Sequence, residues 1–526
     1  MACSPIAAQD SRIEVVEKSA DLESGYPEAQ SGHLRTIGPR AMTLDPAMVR
    51  DAGSAAYVIE IFAGLVKLDT NLNVKPDLAE DWKISSDGLA YTFRLRSGIA
   101  FADGKEIAAH DVVFSMERAL APDIASPAAS MYLGDIEGVS EYTRGDSSHI
   151  SGISNLDNHT VRILLTKPVP SLISKLTYPV SFVVDRREVS DAKWYRTPNA
   201  SGPFEVENWI EGERLVLGRN EMYHTPALLE RVSFAVIGAA EGLLGYETGK
   251  IDIVPIFGRD IDRFYRSGEP LSSHYRAVPQ LSFFYIGFNV NIAPFDDVHV
   301  RRAFVRAIDM EKINRVTFRG HQAVAKGVLP RGLPGSNAGR AALEYDPVLA
   351  RQDLALSRYG TPEKLPDITL LIAGRSLIPP KHIEAMLFFL RDNLNVTVRV
   401  QTLDFDAFLL ELDDSEHQYQ MMASGWIADY PDPENFLEFL FLSTSPENTM
   451  GFDDPKIDRL LGEARIESDW TRRVELYQEV EDAVIDQAVV LPMYFGVKHY
   501  LVKPYVTDFL GPSGVQEWLS AVRIGA

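Results

Sequence analysis

Asp367-Ile-Thr-Leu-Leu-Ile-Ala373, Val396-Thr-Val-Arg-Val-Gln-Thr402 and Tyr419-Gln-Met-Met-Ala423 are three short β-rich runs. Pro366 and Gly374 bound the first of them. Between the first and second runs, Ile383, Met386, Leu387, Leu390 and Leu394 recur at the spacing of one helical face, which predicts a helix over 381–394. A shorter helix is expected over 405–412. The stretch therefore reads β-α-β-α-β. Strands joined by helical crossovers run parallel, with right-handed connections. Ligands of such open sheets sit beyond the carboxyl ends of the strands. The segment that leaves the third run is Gly425-Trp-Ile-Ala-Asp-Tyr-Pro-Asp-Pro-Glu-Asn-Phe436. Its place in the sheet puts Trp426 and Asp429 on the rim of any site.

The rest of the chain is long enough for two or three domains, since 526 residues exceed what one core organises. A net charge of −22 excludes a nucleic-acid partner, whose phosphates require a basic face. No run of about 18 apolar residues is present, so no membrane-spanning helix is expected. The only cysteine is Cys3, which excludes an intrachain disulfide and a cysteine-based zinc site. Its context, Met1-Ala2-Cys3-Ser4, resembles the processed end of a bacterial lipoprotein, so Cys3 is expected to be lipidated. Residues 1–31 are polar and unpatterned and read as a flexible tether.

Outward from the central unit, Gly32-His-Leu-Arg-Thr-Ile-Gly38 reads as a strand, and residues 57–68 as a helix with Ile61, Phe62, Leu65 and Val66 buried. Tyr91, Phe93 and Leu95 alternate with Thr92, Arg94 and Arg96, the pattern of a half-buried antiparallel strand. A helix carrying Val112, Val113, Met116 and Leu120 follows, then a strand at 160–165, a hairpin over 205–219 and a strand at 229–236. From Leu281 the texture changes: Phe283-Phe-Tyr-Ile-Gly-Phe-Asn289 is continuously apolar, as is Val489-Val-Leu-Pro-Met-Tyr-Phe495 after a long helix at 470–488.

The motifs of catalysis are missing. No Gly-rich phosphate loop, His-Glu-x-x-His pair or Gly-x-Ser-x-Gly elbow occurs, and the histidines lack ligand spacing. A calcium loop through Asp429, Asp432 and Glu434 fails because Glu434 stands where the turn needs glycine. Asp432 and Glu434 read instead as surface turn residues, and the pairs Asp413-Asp414 and Asp453-Asp454 as solvated loop charges. No enzyme activity, metal or cofactor is expected.

Ten stretches in register resemble a known family. Among them are Thr43-Leu-Asp-Pro46, Tyr91-Thr-Phe-Arg-Leu-Arg-Ser-Gly-Ile99, Phe101-Ala-Asp-Gly104, Ser201-Gly-Pro-Phe204, Pro294-Phe-Asp-Asp-Val298, Trp426-Ile-Ala-Asp-Tyr-Pro-Asp-Pro433 and Leu501-Val-Lys-Pro504. From about Gly32 to the C-terminus the chain is similar to the extracytoplasmic oligopeptide- and dipeptide-binding proteins of ABC importers, solute-binding protein family 5. The resemblance implies an α/β, two-lobed periplasmic-binding-protein fold of type II with an extra subdomain and a hinge of two crossover strands. It divides the chain into a main lobe (32–75, 196–280 and 491–526), an inserted subdomain (76–195) and a second lobe (281–490). It further implies a monomer, in the periplasm or at the cell surface, that hands peptides to permease subunits and touches the membrane only through a lipid anchor.

In this family the aspartate matching Asp429 holds the α-ammonium of the peptide, and the tryptophan matching Trp426 walls the site. As a residue type alone, Asp429 before Pro431 would merely cap a turn. Main-chain groups near Gly425 and Ile427, and near Asp51 and Ala52, are expected to pair with an extended peptide. Tyr285 and Phe495, on the crossovers, complete the expected ligand-binding set. Two departures stand out: Met421, Met422, Ala423 and Ser424 are neutral where the best-known relatives carry a basic residue, and Arg50 replaces an acidic one. An oligosaccharide receptor on the same fold is the alternative, and a hydrolase with a scattered triad a third.

Overall fold

The computed structural model describes residues 32–265, 268, 270–337, 343–374, 376, 378–413, 419–509 and 519–525. Cys3, the 1–31 tether and Asp414 lie outside the described residues.

The 368–427 unit forms as its periodicities predict. Ile368–Ala373 lies between Val398–Leu403 and Met421–Ile427, parallel to both. The helix Lys381–Leu394 buries Ile383, Met386, Leu390 and Leu394 and ends on Asn395 in the left-handed region, the usual αL stop. The third strand overruns its expected end at Ala423 and continues to Ile427, so Gly425 and Trp426 belong to it. Glycine is depleted in strands. It is required here because a Cβ on Gly425 would lie 2.6 Å from the Phe284 ring.

Everything else joins this unit through two long antiparallel strands, Tyr275–Phe288 and Val490–Val502. Both are longer than the apolar runs at 283–289 and 489–495, because their outer halves carry polar residues, Arg276 and Gln280 on the first and Lys498 and His499 on the second. The far half of the first carries Met421–Ile427 on its open edge. The far half of the second carries Ile253–Pro255, and then His33–Ile37, Arg231–Ala235, Arg214–Arg219 and Phe204–Ile210. One eleven-stranded sheet results, in which two half-sheets hang from opposite ends of a two-stranded ribbon. The ribbon's register breaks between Pro279 and Phe283, opposite Val497 and Phe495. There Ser282 Oγ accepts from Gly496 N (3.1 Å), and a Cβ on Gly496 would collide with it.

A separate four-stranded antiparallel sheet holds Ala90–Leu95 between Ala79–Ile84 and Thr160–Leu164, with Tyr91, Phe93 and Leu95 buried as the alternation predicts. The helix expected over 57–68 is displaced: it spans Ala52–Ile61. Asp51 caps it, accepting from Ser54 N at 2.8 Å, and so starts it earlier. Leu65 and Val66 are buried as expected, but in extended chain that pairs Val66–Leu68 with Val74–Pro76. Gly64 permits this, since a Cβ there would press on Phe182.

Candidate functional site

The carboxyl end of Met421–Ile427 is where main chain is left over. On one edge the strand pairs with Tyr275–Phe288 along its whole length, from Phe288↔Met421 to Ser282↔Ile427. On the other edge Ile368–Ala373 covers it only as far as Ala423. Among the described residues nothing pairs with that edge over 424–427. Ala428 N donates to Leu281 O (2.8 Å), and antiparallel alternation then turns the N–H and C=O of Gly425 and Ile427 toward the open side. Two cavities flank this edge, a larger of about 900 Å³ and a smaller of about 490 Å³. Ala52, Phe284, Ile427, Asp429 and Tyr494 line both, so the pair forms one cleft.

Asp429 stands two residues past the strand on the partition. Its carboxylate accepts from Tyr132 OH and, at 3.2 Å, from Asn435 Nδ2. Asn435 Oδ1 accepts in turn from Asp429 N (2.9 Å) and Trp426 Nε1 (3.2 Å). One buried amide at the start of the helix Glu434–Phe441 thus fixes the backbone of Asp429 and the plane of the Trp426 ring. Burial pushes the Asp429 carboxyl up to about 7, although Tyr132 and Asn435 pull it down; Glu447 adds a further upward push. A carboxyl so placed gains most from a cation that enters the cleft and replaces the lost water.

Trp426, Gly425, Asp51, Ala52 and Tyr285 all line the smaller cavity, so the structure gathers these expected residues around one space. Phe495 is a correction. It lines neither cavity, and its buried ring packs on Phe283 at 6.2 Å. The neighbouring Tyr494 faces the cleft instead; a run apolar on both faces carries no parity signal from which to choose between them.

The second correction concerns Asp432 and Glu434, which are buried and not surface turn residues. Arg473 grips Asp432 with two bonds of 2.6 and 2.9 Å. Lys175 Nζ lies 2.6 Å from Glu434 and 3.5 Å from Asp135, and Arg465 ties Asp135 (2.9 Å) to Glu438 (3.1 Å). Burial opposes the charge on Glu434, but Lys175 and Arg473 outweigh it and hold the carboxyl below its usual range. Asp454 is likewise no free loop charge: it caps the helix Pro455–Ile466 through Lys456 N at 2.9 Å. Sequence reasoning missed Tyr132, Tyr178, Asn435 and Lys498. The two tyrosines stack at 4.0 Å beneath Asp429; Tyr132 comes from the short helix Ala129–Leu133 and Tyr178 from the turn before Pro179.

Comparison with known proteins agrees with this fold. The family model for bacterial extracellular solute-binding proteins, family 5, matches residues 73–448. The periplasmic oligopeptide-binding protein of Salmonella typhimurium is 29% identical over 516 residues, 94% of this chain and 92% of that protein. A probable deoxycholate-binding periplasmic protein of Escherichia coli is 29% identical over 484 residues, 89% and 88% of the two chains. Among solved structures, the Escherichia coli murein tripeptide binding protein aligns with TM-score 0.84 at 25% identity, covering 94% of this chain and 99% of that one. A structure described as the unliganded open form of a periplasmic murein tripeptide binding protein aligns less well, at 0.72 with 25% identity over 95% and 99%. The two-lobed α/β binding-protein architecture expected from the sequence is the one these structures share.

Proposed function

We propose, from the premise that this chain belongs to the bacterial extracellular solute-binding proteins of family 5, that it captures extended peptides in the cleft and hands them to an ABC permease. The family is one of receptors and not of enzymes. The observation that carries the reading is the uncovered edge of residues 424–427, which ends at a half-buried carboxyl. A peptide laid on that edge would exchange main-chain hydrogen bonds with Gly425 and Ile427 and bring its α-ammonium to Asp429. Trp426 and Tyr285 would wall the smaller cavity, and Asp51 and Ala52 would face the peptide from the other side.

We infer that the lobes divide at the ribbon, with 32–75, 196–280 and 491–526 as the main lobe, 76–195 inserted and 281–490 as the second lobe. The register break at Pro279 supports the first crossing. The Tyr132–Asp429 bond and the Lys175–Glu434 ion pair would then join the two sides of a closed cleft. The lower similarity to the open form is in keeping with that. Native mass spectrometry of the purified protein is expected to find a peptide. Small-angle scattering is expected to show a ligand-free particle that contracts when a tri- or tetrapeptide is added. Absence of any peptide binding would reject the peptide reading, and an unchanged profile at saturation would reject closure.

The larger cavity favours a second reading. Ile37, Phe234, Ile256, Ile261 and Phe318 line it, a surface suited to an apolar solute and poorly suited to a saccharide. One relative is described as a probable deoxycholate-binding protein, and displacement of bound peptide by deoxycholate would move that class ahead.

The anchor is an inference from residue context alone, Ala2 before and Ser4 after the sole cysteine. Cys3→Ser is expected to release the protein from the membrane fraction in a bacterial host with ligand affinity unchanged. Continued sedimentation with membranes would reject it. A single acyl chain holds only weakly, so the proposal includes more than one.

A further inference from the structure

The larger cavity is apolar, and its polar side chains are almost all satisfied from within the protein. Thr36 Oγ1 donates to Ile253 O (2.9 Å) and Tyr57 OH to Pro39 O (2.7 Å). His321 meets Asp262 at 2.9 Å, Gln322 Oε1 accepts from Val497 N (2.8 Å), and His499 Nδ1 meets Tyr275 OH at 2.7 Å. Lys498 is the charged exception, beside the Tyr494 and Tyr500 hydroxyls, which also line the cavity without a hydrogen-bond partner among the described residues. It projects from the Val490–Val502 strand on the same face as Tyr494, Gly496 and Tyr500, lines the larger cavity and is only partly reached by solvent. Among the described residues it has neither a hydrogen-bond acceptor nor a carboxylate partner.

We infer that Lys498 is an anion-receiving position of the cleft, and that the preferred ligand carries a carboxylate into the larger cavity. An ammonium withdrawn from water without a counter-charge is costly, and a ligand carboxylate removes that cost while gaining a charge-assisted bond. Burial with no opposing anion also lowers the Lys498 pKa, in keeping with an unpaired site. The inference rests on the peptide reading for the identity of the carrier. A peptide whose ammonium sits at Asp429 and whose main chain follows Ile427 to Gly425 runs into the smaller cavity, since Gly425 lines only that one. The larger cavity then lies beside the first residues of the peptide, and its anion is an acidic side chain there. A ligand that runs the other way would present its terminal carboxylate instead.

Titration calorimetry with Ala-Ala-Ala, Glu-Ala-Ala, Ala-Glu-Ala and Ala-Ala-Ala-amide separates these sources. Against the unmodified protein, one glutamyl peptide should bind at least about tenfold tighter than Ala-Ala-Ala, the range of a charge-assisted bond. Lys498→Met should erase that advantage and Lys498→Arg should keep most of it. If the advantage lies instead in Ala-Ala-Ala over its amide, the carboxylate is the terminal one. Equal affinities of the unmodified and Lys498→Met proteins for all four peptides would overturn the inference. So would a lowered melting temperature of ligand-free Lys498→Met, which would make the lysine a structural residue. Decanoate tests the carrier separately. If no peptide binds but decanoate does, and Lys498→Met loses it, the anion site stands and the peptide reading falls.

Discussion

Lys175→Met is expected to cost the peptide-bound protein about 3–5 kcal/mol of stability. Lys175 is fully buried, 2.6 Å from a Glu434 that is also fully buried. Removing the cation leaves that carboxylate with Arg473, at 3.5 Å, and the more distant Arg465 as its opposite charges. Methionine fills nearly the same volume, so the loss measures charge and not packing. Urea unfolding with and without saturating peptide reads it. The double variant Lys175→Met with Glu434→Gln should recover more than half of the loss, because the second change neutralises the group that the first strands. Recovery of none of it would mean that the stem of Lys175, and not its charge, holds the segment. Lys175 belongs to the segment proposed as inserted and Glu434 to the second lobe. The deficit should therefore be larger with peptide bound than without, if opening already separates them.

Asp429→Asn, or N-acetylation of the peptide, should each weaken binding by about 2 kcal/mol or more, since each leaves one charge in the cleft without its partner. Applied together they should cost less than their sum. The carboxyl also gives the binding a pH signature. In the closed cleft, before any ligand cation is present, burial raises its pKa to about 7, so near neutrality it is about half protonated. A ligand ammonium favours the charged form and lowers that value, so binding expels a proton. Affinity should fall as pH drops below 7, approaching tenfold per unit, and fall again above about 8 as the α-ammonium loses its proton. Calorimetry in buffers of differing ionisation enthalpy reads the proton directly. Asp429→Asn should abolish the acid limb and leave the alkaline one. Equal binding of free and acetylated peptides by the unmodified protein would reduce Asp429 to a turn residue. Asp432 and Glu434 cannot serve as surface controls, because both are locked in ion pairs.

The stability of the closed form without ligand moves in the opposite sense. The Asp429 pKa is above its unfolded value, so its contribution is complete at low pH and is lost as pH rises through 7.

What the sequence revealed follows from where its signals are local. The helix Lys381–Leu394 and the strand Ile368–Ala373 carry clean periods and sharp stops, and both formed within a residue of expectation. Asp429 was legible because its place after a parallel unit is a property of topology. Glu434 was not, because the residue that explains its burial, Lys175, lies 259 positions away, and an acidic residue just after Pro431-Asp432-Pro433 has the composition of a turn. Gly425 concealed the true end of its strand for a related reason: the Phe284 ring that demands a glycine is a tertiary neighbour. Lys498, amid an apolar strand, gave no sign of which cavity it would enter.

A bare strand edge is ordinarily a hazard, since it templates the stacking of one folded sheet on another and so begins aggregation. Residues 424–427 carry such an edge. It is only four residues long and recessed between two cavities, with Tyr132 and Asp429 closing its far end. A second folded protein cannot bring its own sheet to that depth, whereas a single extended chain can. The recess therefore sorts by conformation before it sorts by chemistry: it admits segments that are already unfolded and turns away intact proteins, whatever their sequence.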